Sequence, residues 1–317
     1  MRPFILDASK RYGKIYIETA FPDIFFHDIP NVVCLPKTHV TKGVVDRVES
    51  CKKAGKYGEK KAKYDELVKF SYGDEIKRSK APILKSFQSQ LPHSQYPNID
   101  LSFPVKDEWK DAARKIVPNK KICFLRLATN RAEWGKISCS RNPRMEYVEY
   151  AVNRAKELGY YIVSVNNLKE YNESIDGAIP AGIDLFLHEG QLSTTAMIGL
   201  MAISDIAITT PGNAMLLCAA LGTKTLAIFG GFSSSEIYFD PLKLSNVTCI
   251  DSDQKCCCFN VGHNCNKTIC KERLVKSCDE FFKDKSEVEI KLEGLFDEKG
   301  RPYRMVMRHG VERRLYI

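Results

Sequence analysis

Two stretches of the sequence carry residue types suited to holding a polyphosphate. Residues 126–143 (RLATNRAEWGKISCSRNP) place four cations, Arg126, Arg131, Lys136 and Arg141, in a loop that follows the apolar run 122–127. Guanidinium groups bond phosphate oxygens in pairs, so a loop of this kind can clamp an anion. The second stretch is the turn Thr210, Pro211, Gly212 and Asn213, between the β-branched run 206–209 and the uncharged run 214–221. A turn that leaves a strand and opens a helix presents free backbone N–H groups and the positive end of the helix dipole. An ordinary βαβ unit without a ligand shows the same pattern. What favours a ligand is that both stretches fall at the carboxyl edge of one expected sheet. Gln191, in HEGQLS ahead of the helical run 193–203, is placed to bond a nucleoside at that edge. Helix capping by Ser193 explains the same residues without a ligand.

A third group is soft and metal-suited: Cys256, Cys257, Cys258, His263, Cys265, Cys270 and Cys278. Thiolates and imidazoles in such numbers suffice for a tetrahedral zinc site, with Cys256, Cys258, His263 and Cys265 as the candidate structural ligands. The spacing fits no standard zinc knuckle, and packed thiols are the alternative.

The elements that must position these residues have an α/β rhythm. Apolar runs at 122–127, 160–165, 206–209, 225–229 and 247–250 read as buried strands, separated by helical patterns at 144–158, 193–203 and 214–221. Gly159 and Gly222 stand where helices should stop. Ahead of this region, residues 2–11 read as a helix and 14–18 and 31–35 as short strands. The basic, Gly-interrupted segment 38–63 reads as a long loop, 64–72 as a strand, 82–91 as a helix and 107–117 as a short helix before the linker at 118–120. Alternating runs at 288–292 and 303–307 read as an appended hairpin with a basic end. The expected organisation is residues 1–117, 118–285 and 286–317: two α/β units and an extension.

Composition sets the class. With 317 residues, 44% of them hydrophobic, the chain can bury a large core. No run approaches the roughly 18 apolar residues of a membrane span, and the polar start is too short for a signal peptide, so a cytoplasmic protein is expected. Its twelve cysteines then read as thiols or metal ligands. The formal charge of +9 suits an anionic partner, whether an acidic glycan, nucleic acid or an anionic small substrate, without choosing among them.

The order of strand, Arg-rich loop, HEGQLS, residues 204–231 (SDIAITTPGNAMLLCAALGTKTLAIFGG) and residues 258–269 (CFNVGHNCNKTI) resembles the heptosyltransferase-type glycosyltransferases, family nine of the GT-B fold. Ala219-Ala220-Leu221-Gly222 and Phe229-Gly230 match that family's helix ending and Phe-Gly loop, and His263-Asn264-Cys265 echoes its His-x-Cys. The resemblance implies an α/β, GT-B-like fold: two Rossmann-like domains facing a cleft, with a hairpin-like C-terminal extension. It implies a nucleotide-diphosphate sugar bound by the second domain through Arg126, Arg131, Arg141, Gln191 and the turn 210–213, and an acceptor bound by the first. It also implies transfer with no required metal. The acceptor would be a hydroxyl of a surface glycan or lipopolysaccharide, or of a modified DNA base. A protein that binds nucleic acid or glycan on this scaffold without catalysing is the alternative.

Two departures stand out. The family's Asp-Thr-Gly turn followed by a His is here Thr-Pro-Gly, with Leu216 near the His position, so the family's usual heptose is not expected. The family's catalytic Asp follows a first strand that this sequence is expected to lack. The catalytic base is therefore unassigned, with Asp7 and Asp23 as substitutes to consider.

Overall fold

The computed structural model describes residues 2–37, 42–59, 82–90, 101, 104–131, 140–168, 173–240, 242, 244–256, 265–283, 288–290, 303–308 and 311–316. In chain order the elements before the main sheet are α1 (Arg2–Ser9), β1 (Ile15–Thr19), β2 (Val32–Pro36), α2 (Lys42–Lys53), α3 (Ile83–Gln88) and α4 (Asp107–Arg114). Next come β3 (Ile122–Arg126), β4 (Thr129–Arg131), α5 (Met145–Glu157), β5 (Tyr161–Val165), β6 (Glu173–Ile175) and β7 (Leu185–Leu187). They are followed by α6 (Thr194–Ile203), β8 (Ile206–Thr209), α7 (Asn213–Ala220), β9 (Lys224–Ile228), α8 (Ser235–Phe239), β10 (Val247–Ile250) and α9 (Lys271–Phe282). The chain finishes with β11 (Val288–Ile290), β12 (Tyr303–Arg308) and β13 (Val311–Tyr316).

The centre is a six-stranded parallel sheet ordered β10-β9-β8-β3-β5-β7. From β3 the chain steps outward to β5 and β7, then returns through α6 to β8 on the other side of β3. The strand order therefore reverses between β3 and β8, and loops diverge above their carboxyl ends. The strands are apolar on both faces because helices cover both. Cys123, Leu125, Ile162, Ile206, Ile208 and Ile228 pack beneath α5 and α9, through Val148, Val152, Leu274 and Phe281. Phe124, Val163 and Ala207 pack on the opposite face beneath α4, α6 and α7, through Ala113, Leu200 and Cys218. Each of these large side chains, fully withdrawn from water, stabilises the fold by roughly 2 kcal/mol. Gly222, at φ 75°, ends α7 in the left-handed conformation expected of a helix stop.

The N-terminal elements include a two-stranded parallel sheet, β1-β2, with Ile5 of α1 and Phe26 and Ile29 of the following loop in its core. They join the main sheet's helices at two places. Trp109 of α4 and Ile24 pack with Ile198 of α6, and Gly199 lets the helices approach closely: a Cβ there would collide with the Trp109 carbonyl oxygen. Phe4, Leu84 and Phe87 form a second contact with Leu242, beside a Lys85–Asp240 ion pair at 2.9 Å.

Three expectations change. Segment 38–63 contains α2, because Val44, Val48 and Cys51 recur at helical spacing; Val48 and Cys51 are buried, a stripe that the surrounding lysines obscure. The C-terminal runs do pair antiparallel as β11 and β12, and the basic end adds a third strand, β13, antiparallel to β12. The polar loop after β3 contributes β4, which pairs antiparallel with β6. The strand expected at 64–72 lies outside the described residues. Among the described residues no helix is long and apolar enough to cross a membrane.

Candidate donor site

The site grows from the point of strand reversal. Arg126, the last residue of β3, is the register partner of Thr209, the last residue of β8. Beyond Thr209 the chain turns through Thr210, Pro211 and Gly212 into α7. Gly212 is the N-cap and supplies no side-chain hydrogen bond to the helix. The first backbone N–H groups of α7 thus point out of the sheet edge without an intrahelical acceptor. This is where an anion is stabilised by the helix dipole.

Arg141 closes on the same spot. Its Nη2 donates to the Pro211 carbonyl, and a Cβ at Gly212 would stand 2.9 Å from that nitrogen. The backbone of residues 140–142 is fixed from the other side, by Gly230 N–H to Arg141 O at 3.3 Å and Phe232 N–H to Ser140 O at 3.0 Å. Gly230 is needed for this approach, since a Cβ would meet the carbonyl oxygens of Ser140, Arg141 and Asn142 at 2.5–2.7 Å. The cationic loop and the turn therefore meet, through Arg141.

The other expected residues behave differently. Arg126 leans toward β5: Nη1 donates to Val165 O at 2.9 Å and Nη2 lies 3.5 Å from Glu173 Oε2. Arg131 sits in β4 opposite Glu173 of β6. Gln191 is exposed and folds back on its own loop, its Oε1 accepting from Glu189 N–H at 2.7 Å. Ser193 caps α6 by accepting from Ala196 N–H at 3.1 Å, so the capping explanation of HEGQLS holds for that residue. Trp134 and Lys136 lie outside the described residues.

The structure adds residues that spacing did not single out. Glu173 is buried at the edge beside Arg126. His188 is buried with Nε2 2.8 Å from Ser164 Oγ. Burial, and then the Arg126 charge, holds its pKa below the ordinary imidazole value, so it is neutral at physiological pH. The signal for Glu173 was hidden, because only the β4–β6 pairing carries its segment over the sheet edge.

The substitutes for a catalytic base are both engaged. Asp7 pairs with Arg11. Asp23 is bracketed by Arg47 and Lys56, each at 2.7 Å. Burial works to raise the Asp23 pKa, but the Lys56 hydrogen bond and the Arg47 charge outweigh it and leave the carboxyl below its usual value. A carboxylate so stabilised is a weak proton acceptor.

Among the described residues no three His, Cys, Asp or Glu side chains are grouped to hold a metal ion, so the zinc expectation gains no support there. Cys256 and Cys265 both lie against Gly231, whereas Cys257, Cys258 and His263 fall outside the described residues. Cys278 is removed from the candidates: it is in the core beneath the sheet, and burial pushes its thiol up to about 12. Cys270 is exposed, at the start of α9.

No protein-family model matches the chain, and no curated protein resembles it by sequence. Solved structures do resemble it. The iron-containing dodecameric glycosyltransferase TibC from enterotoxigenic E. coli superposes with a TM-score of 0.53 at 13% identity, over 88% of this chain and 71% of that one. A family 9 glycosyl transferase from Veillonella parvula gives a TM-score of 0.52 at 12% identity, over 88% of this chain and 92% of that one. The fold is that of a GT-B glycosyltransferase. At these identities the likeness establishes the GT-B architecture; the chemistry must be argued from the site.

Proposed function

We propose that the chain is a glycosyltransferase that moves a sugar from a nucleotide-diphosphate donor to a hydroxyl of a glycan acceptor, with residues 118–285 holding the donor and residues 1–117 facing the acceptor. The observation that carries this is the convergence of Arg141 on the turn 210–213 at the uncapped start of α7, at the point where strand order reverses. Nucleotides bind open α/β sheets at that point, and a diphosphate matches an arginine next to a helix amino end. The positive formal charge of +9 favours anionic substrates further.

In the transfer, the acceptor oxygen attacks the anomeric carbon and the bond from that carbon to the diphosphate oxygen breaks. The departing diphosphate takes the electron pair, and the acceptor proton passes to a base. Arg141 and the α7 N–H groups stabilise the negative charge that grows on the leaving group. Glu173, buried beyond the second strand of the sheet, is suited to accept from ribose hydroxyls, with Arg126 holding its carboxylate in place. These roles need no metal. The neighbour described as iron-containing makes metal content worth measuring on the purified chain, with Cys256 and Cys265, which both lie against Gly231, as thiols to test.

Calorimetric titration with a panel of nucleotide sugars, followed by a transfer assay on glycan acceptors, tests the proposal. The expected result is saturable binding of at least one donor; failure of every donor to bind or to raise the melting temperature would sink it. The engagement of Asp7 and Asp23 in ion pairs favours a second reading, a donor-binding protein without turnover. Saturable binding with no transfer to glycan or DNA would select it.

A further inference from the structure

Hydroxyl groups at the two ends of β8 and β9 are treated differently. At the amino ends, Ser204 Oγ donates to Leu200 O at 2.7 Å, Thr223 Oγ1 to Met201 O at 2.8 Å and Thr225 Oγ1 to Thr223 O at 2.7 Å. At the carboxyl ends, Thr209 Oγ1 and Ser233 Oγ are buried and have no hydrogen-bond partner among the described residues. Thr209 is 0% exposed and Ser233 3%. Buried hydroxyls almost always find a partner, and one left over marks a place where a ligand or an ordered water belongs.

Their placement says which ligand. Thr209 follows Ala207 at the strand period of two and so turns to the face that α6 and α7 cover. Ser233 lies in the loop from β9 to α8, next to Phe232, whose N–H holds Ser140 O beside Arg141. Because α7 connects β8 to β9, Thr209 ends the strand that leads into α7, and Ser233 lies in the loop that leaves the carboxyl end of the neighbouring strand. Both can donate, as can the α7 N–H groups and the Arg141 guanidinium.

We propose that Thr209 and Ser233 are further donor-binding residues, whose hydroxyls donate to the phosphoryl oxygens of the diphosphate held at α7, directly or through one ordered water. This rests on the diphosphate reading of the site and extends it to one residue at the end of β8 and one in the loop after β9. It also implies that a bound diphosphate supplies acceptors to both hydroxyls.

The test uses the full chain and four probes, ADP, GDP, UDP and CDP, each with its parent nucleoside as control. Thr209→Val keeps the side-chain shape and removes the hydroxyl; Ser233→Ala removes the other. Each variant is expected to melt no lower than the wild type without ligand, and to bind the nucleoside diphosphate about five- to tenfold more weakly. Thr209→Ser should restore affinity, and nucleoside binding should not change. Wild-type affinity for the diphosphate in both hydroxyl-deleted variants, with melting unchanged or raised, would assign the hydroxyls a purely structural role and overturn the inference. If Thr209→Val does not fold, Ser233→Ala carries the same comparison. Absence of binding by the wild type to all four diphosphates would instead remove the diphosphate reading, and this inference with it.

Discussion

The carboxyl edge of the main sheet and the loops around the small β1-β2 sheet make an instructive pair. At the edge, Arg141 is held by backbone contacts on both sides and the start of α7 is uncapped, so the local structure leaves donors for a ligand. Around β1-β2 the reverse holds: Asp23 is shared by Arg47 and Lys56, Asp28 by Arg2, and Arg47 also lies 4.7 Å above the Phe21 ring. One region offers unsatisfied polar groups, while the other uses its charges on itself. Binding and proton transfer are therefore separable demands, and the described residues meet the first more fully than the second.

The hardest way to break this pairing is at the seam between the regions. Gly199→Ala places a methyl against the Trp109 backbone, which cannot swing aside as a side chain does, so α4 must lift from α6. The expected loss is about 3 kcal/mol of unfolding free energy, read from urea titration. A loss near that of an ordinary surface change would mean the two regions are not tightly joined there.

Arg141→Ala sharpens the comparison at the edge itself. Removing a charge-assisted donor from the turn is expected to weaken nucleoside diphosphate binding by about 2 kcal/mol, or about thirtyfold, by calorimetry. Unfolding should shift less than binding, because the turn keeps its Gly212 and Pro211 backbone; equal shifts would make Arg141 a structural brace.

Asp23→Asn probes the self-satisfied region. The carboxylate is only partly buried, so solvent screening limits the expected stability loss to about 1 kcal/mol or less. Since its folded pKa lies below 3.8, its contribution is present above that value and disappears as pH falls through the folded pKa. The gap between wild type and variant should be flat around neutral pH and close in strong acid. Transfer activity should fall by much less than the roughly hundredfold expected on losing a general base; a drop of that size would return Asp23 to the catalytic role.

The smallest expected effect belongs to His188. Its folded pKa is lowered below 6.5, so the unfolded chain binds more protons between the two values and stability falls as pH drops through 6.5. His188→Gln should flatten that part of the melting-temperature profile. An unchanged slope would mean that Arg126 and burial do not tune this ring.

Much of the architecture was legible before any coordinates. The apolar runs of β3, β5, β8 and β9 are long enough and uncharged enough to require burial on both faces, and Gly159 and Gly222 marked helix ends. Helix α2 was hidden because its six charged residues, Lys42, Asp46, Arg47, Glu49, Lys52 and Lys53, outweigh its apolar positions when composition is read without period. Strands β4, β6 and β7 were hidden because three residues carry too little pattern to count. Of the site, Arg141 and the turn 210–213 were visible as residue types. Gln191 had the same appearance, yet its amide closes on Glu189.

The sequence by itself determined the doubly covered parallel sheet and the phosphate-suited turn, because alternation, apolar runs and glycine stops act locally along the chain. Tertiary structure alone decided which cation reaches that turn, which carboxylates are consumed by ion pairs and which hydroxyls are left unsatisfied. Those outcomes depend on contacts between residues 70 positions apart, as for Arg141 and Pro211, and no local pattern encodes them.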